Sequence, residues 1–86
     1  MDDYALDGNA IGGLLIEVFG TEMTTAVATC GSCGTASVVA ELVVYRLELG
    51  TVVRCRHCQA ELMTFVRIRG FTCVDLAGVS SLETAG

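Results

Sequence analysis

Proline, tryptophan and lysine are missing from this chain of 86 residues, histidine occurs once, and only 17% of the residues are charged. With 52% hydrophobic residues against so little charge, the composition excludes an intrinsically disordered chain, which needs few apolar residues and a high net charge. Long apolar runs are missing too. The longest aliphatic stretches, such as residues 14–16 and 42–44, fall far below the ~20 residues that span a bilayer. The opening MDDYALDGNA has acids where a secretory signal carries basic residues ahead of an apolar stretch. A soluble cytoplasmic protein with no membrane partner is expected, and thiols stay reduced in that compartment.

The scarce polar chemistry also bears on function. The single His57 has no evident serine or cysteine nucleophile to serve, and the carboxylates are scattered without a glycine-rich phosphate cradle. Catalysis and a small-molecule substrate are therefore not expected. The net charge is −5. Residues 1–50 carry a net −6 and residues 51–86 a net +1. Phosphate neutralisation supplies most non-specific nucleic-acid affinity, so an acidic chain with five arginines is poorly placed for it. Arg54, Arg56, Arg67 and Arg69 do cluster in sequence, which keeps nucleic-acid binding as an alternative. Arg67 and Arg69 alternate along a strand-like run, as residues on a solvated face do.

What the chain does have is five cysteines, four of them in TCGSCGT at 29–35 and RCRHCQA at 54–60. Structural disulfides are the weakest account of them in a reducing compartment. A redox couple would put its first thiol at a helix N-terminus. Here GTASVV follows Cys33 and QAELMTFV follows Cys58, and neither opens a helix. A metal accounts for both pairs at once. Two Cys-x-x-Cys turns brought together close a tetrahedron of thiolates around one Zn²⁺ per chain, with Cys30, Cys33, Cys55 and Cys58 as ligands. Iron is the alternative, since thiolate sites accept both metals. Gly31 and Gly34 suit the first turn; the second, with Arg56, His57 and Gln59, has no glycine. His57 lies between two ligands and is expected to be a surface imidazole. Cys73, alone in FTCVDL, is expected in the core as a small hydrophobe.

The remaining pattern is mainly β with an N-terminal helix, in a single domain over residues 1–86. At 6–19, Ile11, Leu14, Leu15 and Val18 form an amphipathic helix stripe, with Asp7 as N-cap and Gly20 as stop. Gly12 and Gly13 hint at close packing within it. Five short antiparallel strands are expected at 24–29, 40–49, 51–54, 61–69 and 71–76, with a turn at 49–50 and a tail from 77 to 86. Tyr45, Leu47 and Leu49 should face the core. Residues 35–39 should be irregular or pair with another strand. So small a core is close to the limit for folding unaided.

CGSCG and CRHC as knuckles around a hairpin resemble a zinc ribbon over residues 29–66. The whole chain, with its LDGNAIGGLLIEVFG opening and its DLAGV ending, resembles a family of small uncharacterised bacterial zinc-ribbon proteins. That resemblance implies a fold and a metal but no activity. The paired turns are also similar to rubredoxin, a one-iron electron carrier, although this chain lacks proline and has Gln59 after Cys58. The expected function is a non-catalytic structural zinc module for protein–protein interaction, acting as a small subunit, an adaptor or a homodimer.

Overall fold

β-Branched runs become strands here, and pairing produces more strands than the apolar pattern alone separates. The structure is a computed structural model and describes residues 5–48 and 50–84. It contains β1 (Ala5–Asp7), α1 (Gly12–Phe19), β2 (Val27–Cys30), β3 (Ala36–Val38), β4 (Val43–Arg46), β5 (Gly50–Arg54), β6 (Glu61–Ile68), β7 (Phe71–Asp75) and β8 (Val79–Glu83). All pairings are antiparallel. One sheet has the order β1-β4-β5-β6-β7 and the other β3-β2-β8.

The helix starts later than the expected 6–19. Residues 5–7 instead extend and pair with β4, Leu6 opposite Val44. Asp7 still caps, accepting from the Asn9 N–H at 3.1 Å, but what it caps is the 3₁₀ turn Gly8–Ile11 that leads into α1. Gly20 ends the helix at φ +76°, its N–H donating to the Ile16 carbonyl at 2.8 Å. Ile11 and Leu15 are fully buried, and Leu14 and Val18 pack against the same core at partial exposure. The stripe therefore covers the protein's own core. An added Cβ at Gly13 would meet nothing within 4 Å, so the paired glycines do not mark close packing there.

Phe65, Met63, Val53 and Val44 from the larger sheet meet Ala28 from the smaller one, together with Ala26 just before β2 and with Ile11, Leu15, Val39 and Leu42. Burial of each large side chain in this set stabilises the fold by ~1.5–3 kcal/mol. The buried face of β4 is the reverse of the expected one: Val44 is completely buried and Leu47 is 61% exposed. Alternation fixes which residues share a face but not which face meets the core. Leu49 lies outside the described residues.

Residues 36–38, left open by the sequence, pair with β2 as β3. The presumed tail supplies β8, which pairs with β2 on its other side. Arg69, expected within a strand, occupies a two-residue turn with Gly70, both at positive φ, between Ile68 and Phe71. Cys73 is exposed rather than buried. It pairs with Val66, one residue out of phase with Phe65, and so lies on the sheet face away from the core. No helix among the described residues is long and apolar enough to cross a membrane.

The helix contact is checked by two neighbouring substitutions. Leu15→Ala should cost ~2–5 kcal/mol, whereas Ile16→Ala, at a side chain 49% exposed, should stay within ~0.5 kcal/mol. Thermal melting of both variants measures the difference; equal losses would place the helix contact on another face.

Candidate metal centre

Both Cys-x-x-Cys segments are the turns of β-hairpins, and the two turns are built alike. In the first, Thr29 pairs with Ala36; in the second, Arg54 pairs with Glu61. The Cys30 N–H donates to the Thr35 carbonyl at 2.9 Å, and the Cys55 N–H to the Ala60 carbonyl at 2.9 Å. Gly34 N–H returns to the Cys30 carbonyl at 2.9 Å, and Gln59 N–H to the Cys55 carbonyl at 3.0 Å. The fourth residue after the first cysteine is left-handed in both, Gly34 at φ +79° and Gln59 at +68°. Gln59 thus occupies the position that glycine fills in the first turn, which explains how a turn without glycine can form. Its place is legible only when the two segments are aligned on their cysteines.

The first knuckle belongs to the three-stranded sheet and the second to the five-stranded sheet. Where they meet, the four sulfurs lie within 4.8 Å of one another. Across the knuckles, Cys30 Sγ is 3.6 Å from Cys58 Sγ and Cys33 Sγ is 3.7 Å from Cys55 Sγ. A disulfide needs ~2.05 Å. A tetrahedron with metal–sulfur bonds of ~2.3 Å has edges of about 3.8 Å, so the spacing suits four thiolates around one ion. All four residues named from the sequence are brought together, Cys30 and Cys55 buried, Cys33 and Cys58 exposed. His57 is exposed, and its backbone N–H donates to Cys55 Sγ at 3.4 Å.

Donors are arranged around the sulfurs. Ser32 N–H and Cys33 N–H point to Cys30 Sγ at 3.4 and 3.5 Å. Chiefly the Cys33 N–H, aided by that of Ser32, holds the Cys30 thiol below its ordinary value. The Thr35 hydroxyl is hydrogen-bonded to Cys33 Sγ at 3.3 Å. With the Thr35 backbone, it pulls the Cys33 thiol down to about 6. Cys58 goes the other way. The Ala60 N–H favours its thiolate, but burial and the three neighbouring sulfurs outweigh that and push it up to about 11. Sulfurs packed this closely cannot all ionise without a cation among them. The donor set therefore fits a thiophilic metal.

Two supports escaped the sequence. Thr35 was assigned no role, and its hydroxyl braces Cys33. The DLAGV segment crosses behind the first knuckle, where the Gly78 carbonyl accepts the Gly31 N–H at 2.9 Å. A Cβ on Gly78 would collide with the Glu61 carbonyl, so only glycine lets the segment pass so near the second hairpin. Of the clustered arginines, Arg54 pairs with Glu61 at 3.3 Å, Arg56 with Glu41 at 3.6 Å and Arg67 with Glu17 at 2.6 Å. Such exposed pairs each contribute only ~0–1 kcal/mol.

The left-handed positions generate a reciprocal test. Non-glycine residues there cost ~1 kcal/mol or more. Gln59→Gly should raise the stability of the metal-loaded protein by up to ~1 kcal/mol, a few degrees in melting temperature for a domain of this size. Gly34→Ala should lower it by a similar ~1 kcal/mol, because an added Cβ there meets nothing within 4 Å and the cost is conformational. Opposite signs are expected from melting the two variants. A loss in both would mean that the Gln59 side chain has a role of its own.

Searches of curated proteins and of solved structures gave no match to this chain. Over residues 1–86 it matches the model of a family of unknown function (DUF6510), and it belongs to that family.

Proposed function

We propose that the protein is a zinc ribbon whose metal is structural and non-catalytic, and that it serves protein–protein interaction as a small subunit, an adaptor or a homodimer. The observation that carries this is the closed set of four sulfurs between two matching hairpin turns. Cys30, Cys33, Cys55 and Cys58 would hold one Zn²⁺. Four thiolates fill its tetrahedral shell, leaving no position for an activated water. The ion would supply charge compensation for the thiolates and a fixed link between the two sheets. The N–H groups of Ser32, Cys33 and His57 help to orient the sulfurs, as outer-shell donors do at metal sites.

Ion pairing of Arg54, Arg56 and Arg67 with glutamates supports setting nucleic acid aside, because these guanidiniums are already matched by acids. Zinc binding by such sites contributes ~10–16 kcal/mol, comparable with the whole stability of a small domain, ~5–15 kcal/mol.

The purified protein should contain one zinc per chain by elemental analysis and native mass spectrometry. Cys33→Ser and Cys55→Ser should lose it, and a chelator should unfold the two hairpins, whereas Cys73→Ser should retain zinc and fold. A red, iron-containing protein with charge-transfer bands would replace the structural role by electron transfer. Equal metal loss in Cys73→Ser would overturn the ligand assignment.

A further inference from the structure

The two knuckles share a backbone path but not their supports. In the first, the left-handed position belongs to Gly34, which adopts it without steric cost. In the second, Gln59 must hold φ +68° with a Cβ in place, a conformation disfavoured for any residue with a side chain. Arg54 meets that residue directly. Its Nη1 donates to the Gln59 carbonyl at 2.8 Å, and its Nη2 to Glu61 Oε2 at 3.3 Å. One guanidinium thus joins the last residue of β5, the left-handed residue of the turn and the first residue of β6. The β5–β6 register shifts at this point, between Val53 and Arg54, and a bulge of this kind re-aims the side chain beside it. Thr29, which occupies the place of Arg54 in the first hairpin, is turned elsewhere: its hydroxyl accepts from that of Ser81 on β8 at 3.1 Å. The brace stands on the hairpin whose turn lacks glycine.

We propose that Arg54 is a positioning residue of the metal centre, whose bond to the Gln59 carbonyl holds the second knuckle closed with Cys55 and Cys58 in place, an inference that rests on the zinc-ribbon reading above and adds a residue outside the four ligands that sets how tightly the site binds. Two contacts of Arg54 are available to do this, and their chemistry separates them. The ion pair with Glu61 lies at the surface, the side chains 35% and 56% exposed, and such pairs are weak. The bond to the carbonyl is charge-assisted, a class about twice as strong as neutral hydrogen bonds, and it is made to the backbone of the very residue whose conformation needs holding. The second turn presents its cysteines together only while Gln59 stays left-handed, and apparent affinity falls in proportion to the competent fraction. Arg54 thereby compensates in the second turn for what glycine supplies in the first. An arginine that merely supported β5 would matter equally whatever residue stood at position 59; a positioning arginine is needed only when that residue is not glycine.

Competition for Zn²⁺ between the full chain and a chromophoric chelator, under reducing conditions, measures the apparent affinity. Arg54→Ala should weaken it about three- to tenfold. Adding Gln59→Gly to Arg54→Ala should bring it back to within about twofold of the parent chain. Glu61→Gln, which removes the ion pair but leaves the carbonyl bond, and Arg67→Ala, whose partner Glu17 lies on the helix, should each change it by less than about twofold. An affinity indifferent to Arg54→Ala would overturn the proposal. So would a loss that Gln59→Gly does not rescue, or a loss from Glu61→Gln as large as that from Arg54→Ala. Should Arg54→Ala alone fail to fold, Gln59→Gly with and without Arg54→Ala carries the test: the two should agree within about twofold, and a clear difference would overturn it. The unsubstituted chain in the same assay keeps this outcome separate from the metal assignment. If it binds one zinc and Arg54→Ala binds equally well, only the role of Arg54 falls, whereas a chain that folds and takes no zinc removes the zinc ribbon as well.

Discussion

Four sulfurs held within 4.8 Å of one another form an arrangement that like charge opposes, and the rest of the structure is organised around making it possible. Thiolates at this spacing repel unless a cation lies among them, and thiols would leave a small polar cluster at the junction of two sheets. The hairpin turns bring each pair of cysteines to one side through matching hydrogen bonds. The smaller sheet and the larger sheet then meet at the sulfurs, so the four-cysteine cluster lies at the joint of the fold rather than on one of its parts. Cys30 and Cys55, each 1% exposed, are continuous with the hydrophobic core. Any disturbance of the cluster would therefore reach beyond the knuckles.

Supporting elements follow from that joint. The β3 and β8 strands flank β2 and fix the sheet that presents the first knuckle; β4 and β6 flank β5 and fix the second. The carbonyl of Gly78 ties the chain leading into β8 to the first turn. The helix and the 3₁₀ turn before it take a different part, covering the open side of the core with Leu15 and Ile11. The face they leave uncovered is that of the larger sheet, and a chain with so little charge has few polar residues with which to cover it.

The cysteine turns were legible because their chemistry is local: two cysteines three residues apart define a turn whatever lies around them. The helix stripe and its Gly20 stop were legible for a similar reason, periodicity and glycine acting over short distances. Elements that depend on a distant partner were not. The β8 segment VSSLE mixes polar and apolar residues and becomes a strand through pairing with β2. Residues 5–7 extend because β4 offers them an edge, although their neighbours favour a helix. Cys73 has the surroundings of a core residue in sequence, yet the register of β6 with β7 turns it outward. Gln59 was hidden for another reason, since a left-handed glutamine is rare and only its equivalence to Gly34 gives it away.

Extended X-ray absorption at the metal edge tests the central claim most directly, because it counts and identifies the atoms bonded to the ion. The account predicts zinc with four sulfur neighbours at ~2.3 Å and no nitrogen or oxygen in the first shell. A shell of three or fewer sulfurs completed by water or an imidazole would contradict it. The site would then be open, and the structural role assigned to the metal would no longer follow.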